Sequence, residues 1–236
     1  ASPRADDLPK ATPTGALAVL RRSSAVKAEH QQLHAALWAP ADKAPFATFD
    51  PPLAGPPVLE PTDVSYVLED TAVGRLLIAV RSTGAVVTCA YSPDTASEDR
   101  WLTRIAGTVS PRVLRHPSPT DAVRRALAAY LAGGARSVDV PTDLALATPF
   151  QREVLTGLAA RVGYGERTTY GELASAVEHP GAARAVGTVL GGNPLCIVLP
   201  CHRVLPASGG VGGYAGGAAA KEHLLALEAE HVRPPA

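Results

Sequence analysis

The 236 residues include no methionine, three cysteines, 5% aromatics and no net charge, with 22 Lys and Arg against 22 Asp and Glu. Each shortage excludes something. Cys89, Cys196 and Cys201 cannot pair completely and are too few for a disulfide-built secreted scaffold, so a reducing, cytoplasmic setting is expected. Zero net charge excludes a polycation that coats nucleic acid without discrimination, while leaving room for a local DNA-binding surface. No apolar run approaches the roughly 20 residues of a membrane helix, and the first residues lack the basic and apolar regions of a secretion signal. The expectation is a soluble chain without a membrane partner. Methionine is missing even at position 1, which suggests numbering that starts after a removed methionine or inside a longer product.

What is present divides the chain. With 46% hydrophobic residues, it can bury a core in one large or two small domains. Residues 1–63 hold 10 of the 22 prolines, and the stretch from Pro51 to Pro57 cannot sit inside a helix or a central strand. A Pro-rich extension is expected there, with one helix around Val26 to Trp38. From Val64, apolar residues alternate with polar ones or form short runs, Arg75 to Val80 and Ala85 to Tyr91, split by Gly74 and Ser82-Thr83-Gly84. That pattern predicts a small antiparallel sheet over residues 64–147, with Cys89 as buried filler in its third strand. Asp121 precedes Val123, Leu127, Tyr130 and Leu131 at helical spacing, and Gly133-Gly134 ends the run.

A second, helix-rich unit is expected over 148–230, with 231–236 as a tail. Phe150, Val154, Leu155 and Leu158 share one helical face that Gly163-Tyr164-Gly165 stops. Thr169 and Glu172 have the form of a capping box and place Tyr170 in the first turn of a short helix to about Val177. After His179-Pro180-Gly181, Ala182 to Leu190 forms another. Two short helices joined by a tight turn is the helix-turn-helix arrangement, which ordinary helix pairs also resemble.

Chemistry concentrates between Asn193 and Val204. Ile197-Val198-Leu199 reads as a buried run whose ladder Pro200 ends, so that Cys201 and His202 emerge at a pocket wall. A cysteine attacks as its thiolate, and a nearby imidazole or cation favours that form. A third group must orient the histidine, and Glu228 on a helix from Lys221 to Glu230 is the best candidate; a surface position near the C-terminus fits it as well. Cys196, Cys201 and His202 lack the spacing and the second cluster of a zinc site. The two cysteines are not a Cys-x-x-Cys redox pair either. The glycine-rich segment 209–217 lacks the Gly-Lys-Ser/Thr ending of a phosphate loop and reads as a curved pocket wall.

Pro200-Cys201-His202-Arg203-Val204, the glycine-rich loop through Tyr214 and Gly217, and the upstream segments around Tyr170, Ala182-Ala183-Arg184 and Asn193-Pro194 resemble the methylated-DNA-protein-cysteine methyltransferases, also called alkylguanine-DNA alkyltransferases. The resemblance covers about residues 64 to 230. It implies an α/β (α+β) fold, with an RNase H-like sheet domain followed by a helical, winged-helix-like domain that carries the helix-turn-helix. It also implies a monomer that binds double-stranded DNA containing O6-alkylguanine and needs no cofactor. Cys201 would accept the alkyl group once, His202 would take the thiol proton through a water, Glu228 would orient His202, Tyr170 would donate to the leaving guanine, and Asn193 would brace the adjacent turn. Arg184 would fill the gap left by the extruded base, with Ala182 and Ala183 permitting close approach to the backbone. Arg203, Val204, Val211, Tyr214 and Ala215 would contact the base or DNA.

Three departures stand out. From Phe150 on there are seven Lys and Arg against seven Asp and Glu, so DNA affinity must come from placement. Cys196 stands where relatives often carry proline or another apolar residue, and Ala215 where some carry serine. The metal ligands of some relatives' N-terminal domains have no counterpart, so no metal is expected. Two competing readings remain: a non-catalytic protein that only binds alkylated-DNA lesions would not need Cys201, His202 and Glu228, and a cysteine hydrolase would need an oxyanion hole that the flanking motifs do not supply.

Overall fold

A computed structural model describes residues 62–232, all within one compact unit. The helix expected around Val26 to Trp38 lies outside the described residues. Three strands follow the alternation read from the sequence: β1 (Val64–Thr71), β2 (Gly74–Arg81) and β3 (Val86–Tyr91). They pair antiparallel, and a short β4 (Val113–Arg115) adds parallel to β1, giving the order β3-β2-β1-β4. A parallel neighbour requires a crossover. That crossover contains helix α1 (Thr95–Thr108), which the apolar pattern did not predict. Asp94 caps it, accepting from the Ser97 backbone N–H at 2.7 Å.

Helix α1 explains why β2 is apolar along its length. Leu77 and Ala79 join Ile105 of α1 in one core, whereas Leu76, Ile78 and Val80 join Val123, Leu127 and Tyr130 of α2 (Asp121–Leu131) in another. The second core continues into the helical half. The two halves of the unit are thus packed through one apolar interior, in which each fully buried Leu or Val contributes roughly 1.5–3 kcal/mol.

In the helical half, Thr148 caps α3 (Pro149–Arg161), and Val154, Leu155 and Leu158 are buried as the spacing predicts. The capping box forms in both directions, so Tyr170 opens α4 (Tyr170–Ala176). A turn through Gly181, at φ +86°, leads to α5 (Ala183–Gly191). A parallel pair, β5 (Thr168–Thr169) and β6 (Val204–Leu205), ties the start of α4 to the segment after Cys201. The last helix, α6 (Gly217–Val232), is longer than the expected Lys221 to Glu230 at both ends. A mixed sheet followed by a helical half agrees with the expected fold. Among the described residues no helix is long and apolar enough to cross a membrane.

One expectation needs correction. Ile197-Val198-Leu199 is not a strand: Ile197 sits at φ +71°, a conformation that strains a β-branched residue, and the chain reverses there. Leu199 N–H donates to Leu195 O and Val198 N–H to Cys196 O, each at 2.8 Å. Cys201 and His202 consequently do not emerge from the core. They begin a 3-10 turn, Cys201–Arg203, whose three residues are buried.

Candidate active site

The turn that reverses at Ile197 delivers Cys201 to the wall of a cavity of about 370 Å³, which Tyr170, Gly187, Leu190, Gly191, Gly213, Tyr214 and Ala215 also line. Asn193 spans this turn. Its Nδ2 donates to Leu199 O and to Cys201 Sγ, both at 3.1 Å, and its Oδ1 accepts from Leu195 N–H at 2.9 Å. Tyr214 meets the edges of two rings, Tyr91 at 5.5 Å and His202 at 6.4 Å. Glycine is required beside it, because a Cβ on Gly216 would lie 2.3 Å from the Tyr91 ring.

Behind Cys201, His202 Nε2 is 2.8 Å from Glu228 Oε1, and both side chains are fully buried. Glu228 is surrounded by donors. Tyr130 Oη donates to it at 2.6 Å, Arg203 Nη2 at 2.9 Å, and Arg167 Nη1 and the Gly165 N–H at 3.1 Å each. Burial raises the Glu228 pKa, but hydrogen bonds from His202, Arg203 and Tyr130 outweigh it and hold the carboxyl at about 2. Burial pushes His202 downward more than Glu228 pulls it up, which favours the neutral ring. A carboxylate only accepts, so Nε2 carries the hydrogen and Nδ1 keeps a lone pair. That Nδ1 is buried without a hydrogen-bond partner among the described residues.

Cys201 departs from an ordinary buried thiol. A hydrogen bond from Cys196 lowers its pKa most; Asn193 and the charge of Lys221 add to this against the opposing effect of burial. Cys89, with burial as its main influence, is pushed up to about 12. Lys221 is itself buried, with Nζ donating to Val204 O at 2.7 Å.

The remaining expected residues separate into two groups. Ala182 and Ala183 are half-buried at the start of α5, and Arg184 is exposed there, with no side-chain partner among the described residues. Tyr170, Tyr214 and Ala215 line the cavity. Arg203 is corrected: its guanidinium is buried between Glu228 and Val162 O, at 2.8 Å from the latter, and is unavailable to DNA. Val204 is fully buried, with its N–H on Cys201 O and its carbonyl on Lys221, and neither it nor the half-buried Val211 lines the cavity. Sequence reasoning missed Tyr130 and Arg167. In the sequence Tyr130 belongs to an apolar stripe, although a buried tyrosine hydroxyl calls for a partner; Arg167 gives no signal.

Residues 149–230 match the family model described as 6-O-methylguanine DNA methyltransferase, DNA binding domain. A methylated-DNA-protein-cysteine methyltransferase of Mycolicibacterium paratuberculosis is 40% identical over 168 residues, covering 71% of this chain and 94% of that protein. The crystal structure of Mycobacterium tuberculosis OGT in complex with DNA is 34% identical with a TM-score of 0.60, over 71% of this chain and 94% of that one. The crystal structure of the Mycobacterium tuberculosis O6-methylguanine methyltransferase is 36% identical at the same TM-score of 0.60, covering 73% and 96%. The chain therefore belongs to the methylated-DNA-protein-cysteine methyltransferase family.

Proposed function

We propose that this protein repairs double-stranded DNA by direct reversal, moving the alkyl group of O6-alkylguanine, and also of O4-alkylthymine, onto its own Cys201. The observation that carries this reading is the arrangement around His202: Nε2 held by Glu228, Nδ1 without a partner among the described residues, and the neighbouring Cys201 at the wall of a cavity large enough for a purine. In the step itself, the Cys201 proton passes to His202 Nδ1, directly or across one water. The sulfur then attacks the alkyl carbon. A C–S bond forms, the C–O6 bond breaks, and its electron pair stays on guanine O6. Burial raises the Tyr170 pKa, so its phenol keeps a proton to donate to the leaving base. Water does not hydrolyse the thioether at a useful rate, and each molecule therefore acts once.

The target atom lies inside the stack, so the nucleotide must turn out into the cavity. Arg184, exposed on α5 and without a side-chain partner among the described residues, supports a role in filling the vacated space, and the small residues Ala182 and Ala183 support close approach of that helix to DNA. Residues 148–230 then act as the catalytic and DNA-binding domain, with 64–147 as a supporting sheet domain. A nucleophilic thiol that must stay reduced fits the cytoplasm, on the nucleoid when bound, with the protein acting as a monomer.

The test is duplex DNA with one labelled O6-methylguanine, followed by intact mass and peptide mapping. One methyl on Cys201 and no further reaction is the expected result, and Cys201→Ser should bind the lesion without transfer. Label mainly on Cys196 or Cys89, or wild-type binding without transfer, overturns the reading.

A further inference from the structure

Cys196 is a buried thiol to which the transfer step above gives no task. It is 1% exposed, against 4% for Cys201, and it does not line the substrate cavity. Asn193 connects the two. Cys196 Sγ donates to the Asn193 carbonyl at 3.4 Å, while Asn193 Nδ2 donates to Cys201 Sγ at 3.1 Å. Each thiol is also the first influence on the other's pKa, which is lowered at Cys201 and raised at Cys196. The reversal at Ile197, with Cys196 bridged to Leu199, brings both cysteines to the same asparagine.

The surroundings of the two sulfurs differ in sign. Cys201 receives a hydrogen from the Asn193 amide and feels the Lys221 ammonium, both of which favour a thiolate. Cys196 faces a carbonyl oxygen, which favours a thiol that retains its proton. A thiol has one proton to give, and the Asn193 carbonyl and the neighbouring Cys201 sulfur are the two candidates to accept it. A neutral Cys201 sulfur is the weaker acceptor and an ionised one the stronger.

We propose that Cys196 is a positioning residue for alkyl transfer: its S–H turns from the Asn193 carbonyl to the Cys201 sulfur as that sulfur loses its proton to His202, and turns back once the sulfur is alkylated. No covalent bond changes at Cys196. Its proton steadies the nucleophile before attack, and a thioether, being a weak acceptor, releases it afterwards. The same proton keeps Cys196 unreactive, so that of two adjacent thiols Cys201 takes the alkyl group. The proposal rests on the reading of Cys201 as the acceptor.

Cys196→Ala and Cys196→Ser, compared with the intact protein, test it. Two rates would be followed between about pH 6 and 9: single-turnover methyl transfer from duplex O6-methylguanine, and alkylation of Cys201 by iodoacetamide, which needs no DNA. Melting temperature and lesion affinity monitor folding and binding. Loss of the donor in Cys196→Ala should slow both reactions about tenfold at neutral pH and move their rise with pH upward by about one unit, with lesion affinity unchanged. Serine offers an O–H in place of the S–H and should recover rates to within about threefold of the intact protein. A Cys196→Ala protein with the original rates and pH profile overturns the proposal, as does a serine variant as slow as alanine with the profile unmoved. If the intact protein transfers no methyl to Cys201, the reading of function fails instead, and the iodoacetamide profile still decides the role of Cys196.

Discussion

The sheet half, residues 62–147, and the helical half, from Thr148 on, handle charge in opposite ways. In the sheet half the ion pairs Arg81–Asp143, Arg112–Asp63 and Arg124–Glu69 all sit at partly exposed positions, outside an interior that buries no charged side chain among the described residues. In the helical half a carboxylate with no exposure gathers Arg203, Arg167 and His202 around it. Exposed pairs typically contribute up to about 1 kcal/mol. A buried carboxylate costs much more to desolvate and is tolerated here because several donors converge on it. The difference shows where chemistry has shaped the molecule: the sheet half could be stable without its charges, whereas the helical half is organised around one.

Glu228→Ala is the severest test of that contrast. It leaves the Arg203 guanidinium buried without its counter-charge and the His202 Nε2–H without its acceptor, and urea denaturation should record a loss of about 3–5 kcal/mol. Transfer to Cys201 should fall with it, since His202 loses the partner that fixes its tautomer. If the loss were no greater than for an exposed pair, the contrast between the halves would disappear. The pH dependence of stability sharpens the same point. Because Glu228 is held at about 2, below its ordinary value of 4.5, the unfolded chain binds its proton first as the medium becomes acidic. Its contribution is complete above about pH 4.5 and is lost as pH falls toward 2. His202, lowered by burial, works in the same direction from its ordinary 6.5 downward, because only the unfolded ring protonates there. An acid titration of stability should therefore begin to decline below the ordinary histidine value and steepen below the carboxylate one. The steeper part should be clearly weaker in Glu228→Ala, where the partly or fully exposed carboxylates Asp63, Asp94 and Glu172, also held below their ordinary values, remain to supply it.

Much of this was legible in the chain. The capping box at Thr169 and Glu172, the stripe of α3 and the three hairpin strands follow from local spacing, because each is fixed by neighbours a few residues away. The Cys201-His202 motif and its flanks were legible through resemblance. Helix α1 was missed because it offers only Ile105 as a buried large apolar residue, yet the unbroken apolar run Leu76 to Val80 signalled a strand covered on both faces. The reversal at Ile197 had no local signal, since a β-branched residue at positive φ contradicts its own propensity and is imposed by tertiary contacts. The resemblance puts Arg203 among the DNA contacts, and the complementary reason applies to it: the partner that buries it lies 25 residues away on α6.

Tyr130 is where the two halves meet chemically, and the smaller predictions concern it. It comes from α2 in the sheet half, packs edge-on to Tyr164 at 6.0 Å and donates to Glu228 at 2.6 Å. Tyr130→Phe keeps the ring and removes only that donor. A hydrogen bond to a charged group contributes about 1.5–3 kcal/mol, and stability should fall by that amount, with the Glu228 carboxyl pKa rising. Combined with Glu228→Gln in a double-mutant cycle, the two losses should be far from additive, because they remove the two ends of one contact. Glu69→Ala, which breaks the partly exposed pair with Arg124 wholly inside the sheet half, should cost no more than about 1 kcal/mol and leave transfer untouched. Additivity between Tyr130→Phe and Glu228→Gln would mean that the sheet half only packs against the site. Coupling between them, with none between Glu69→Ala and Glu228→Gln, would identify the Tyr130 hydroxyl as the means by which a scaffold half helps to set the charge of the catalytic half.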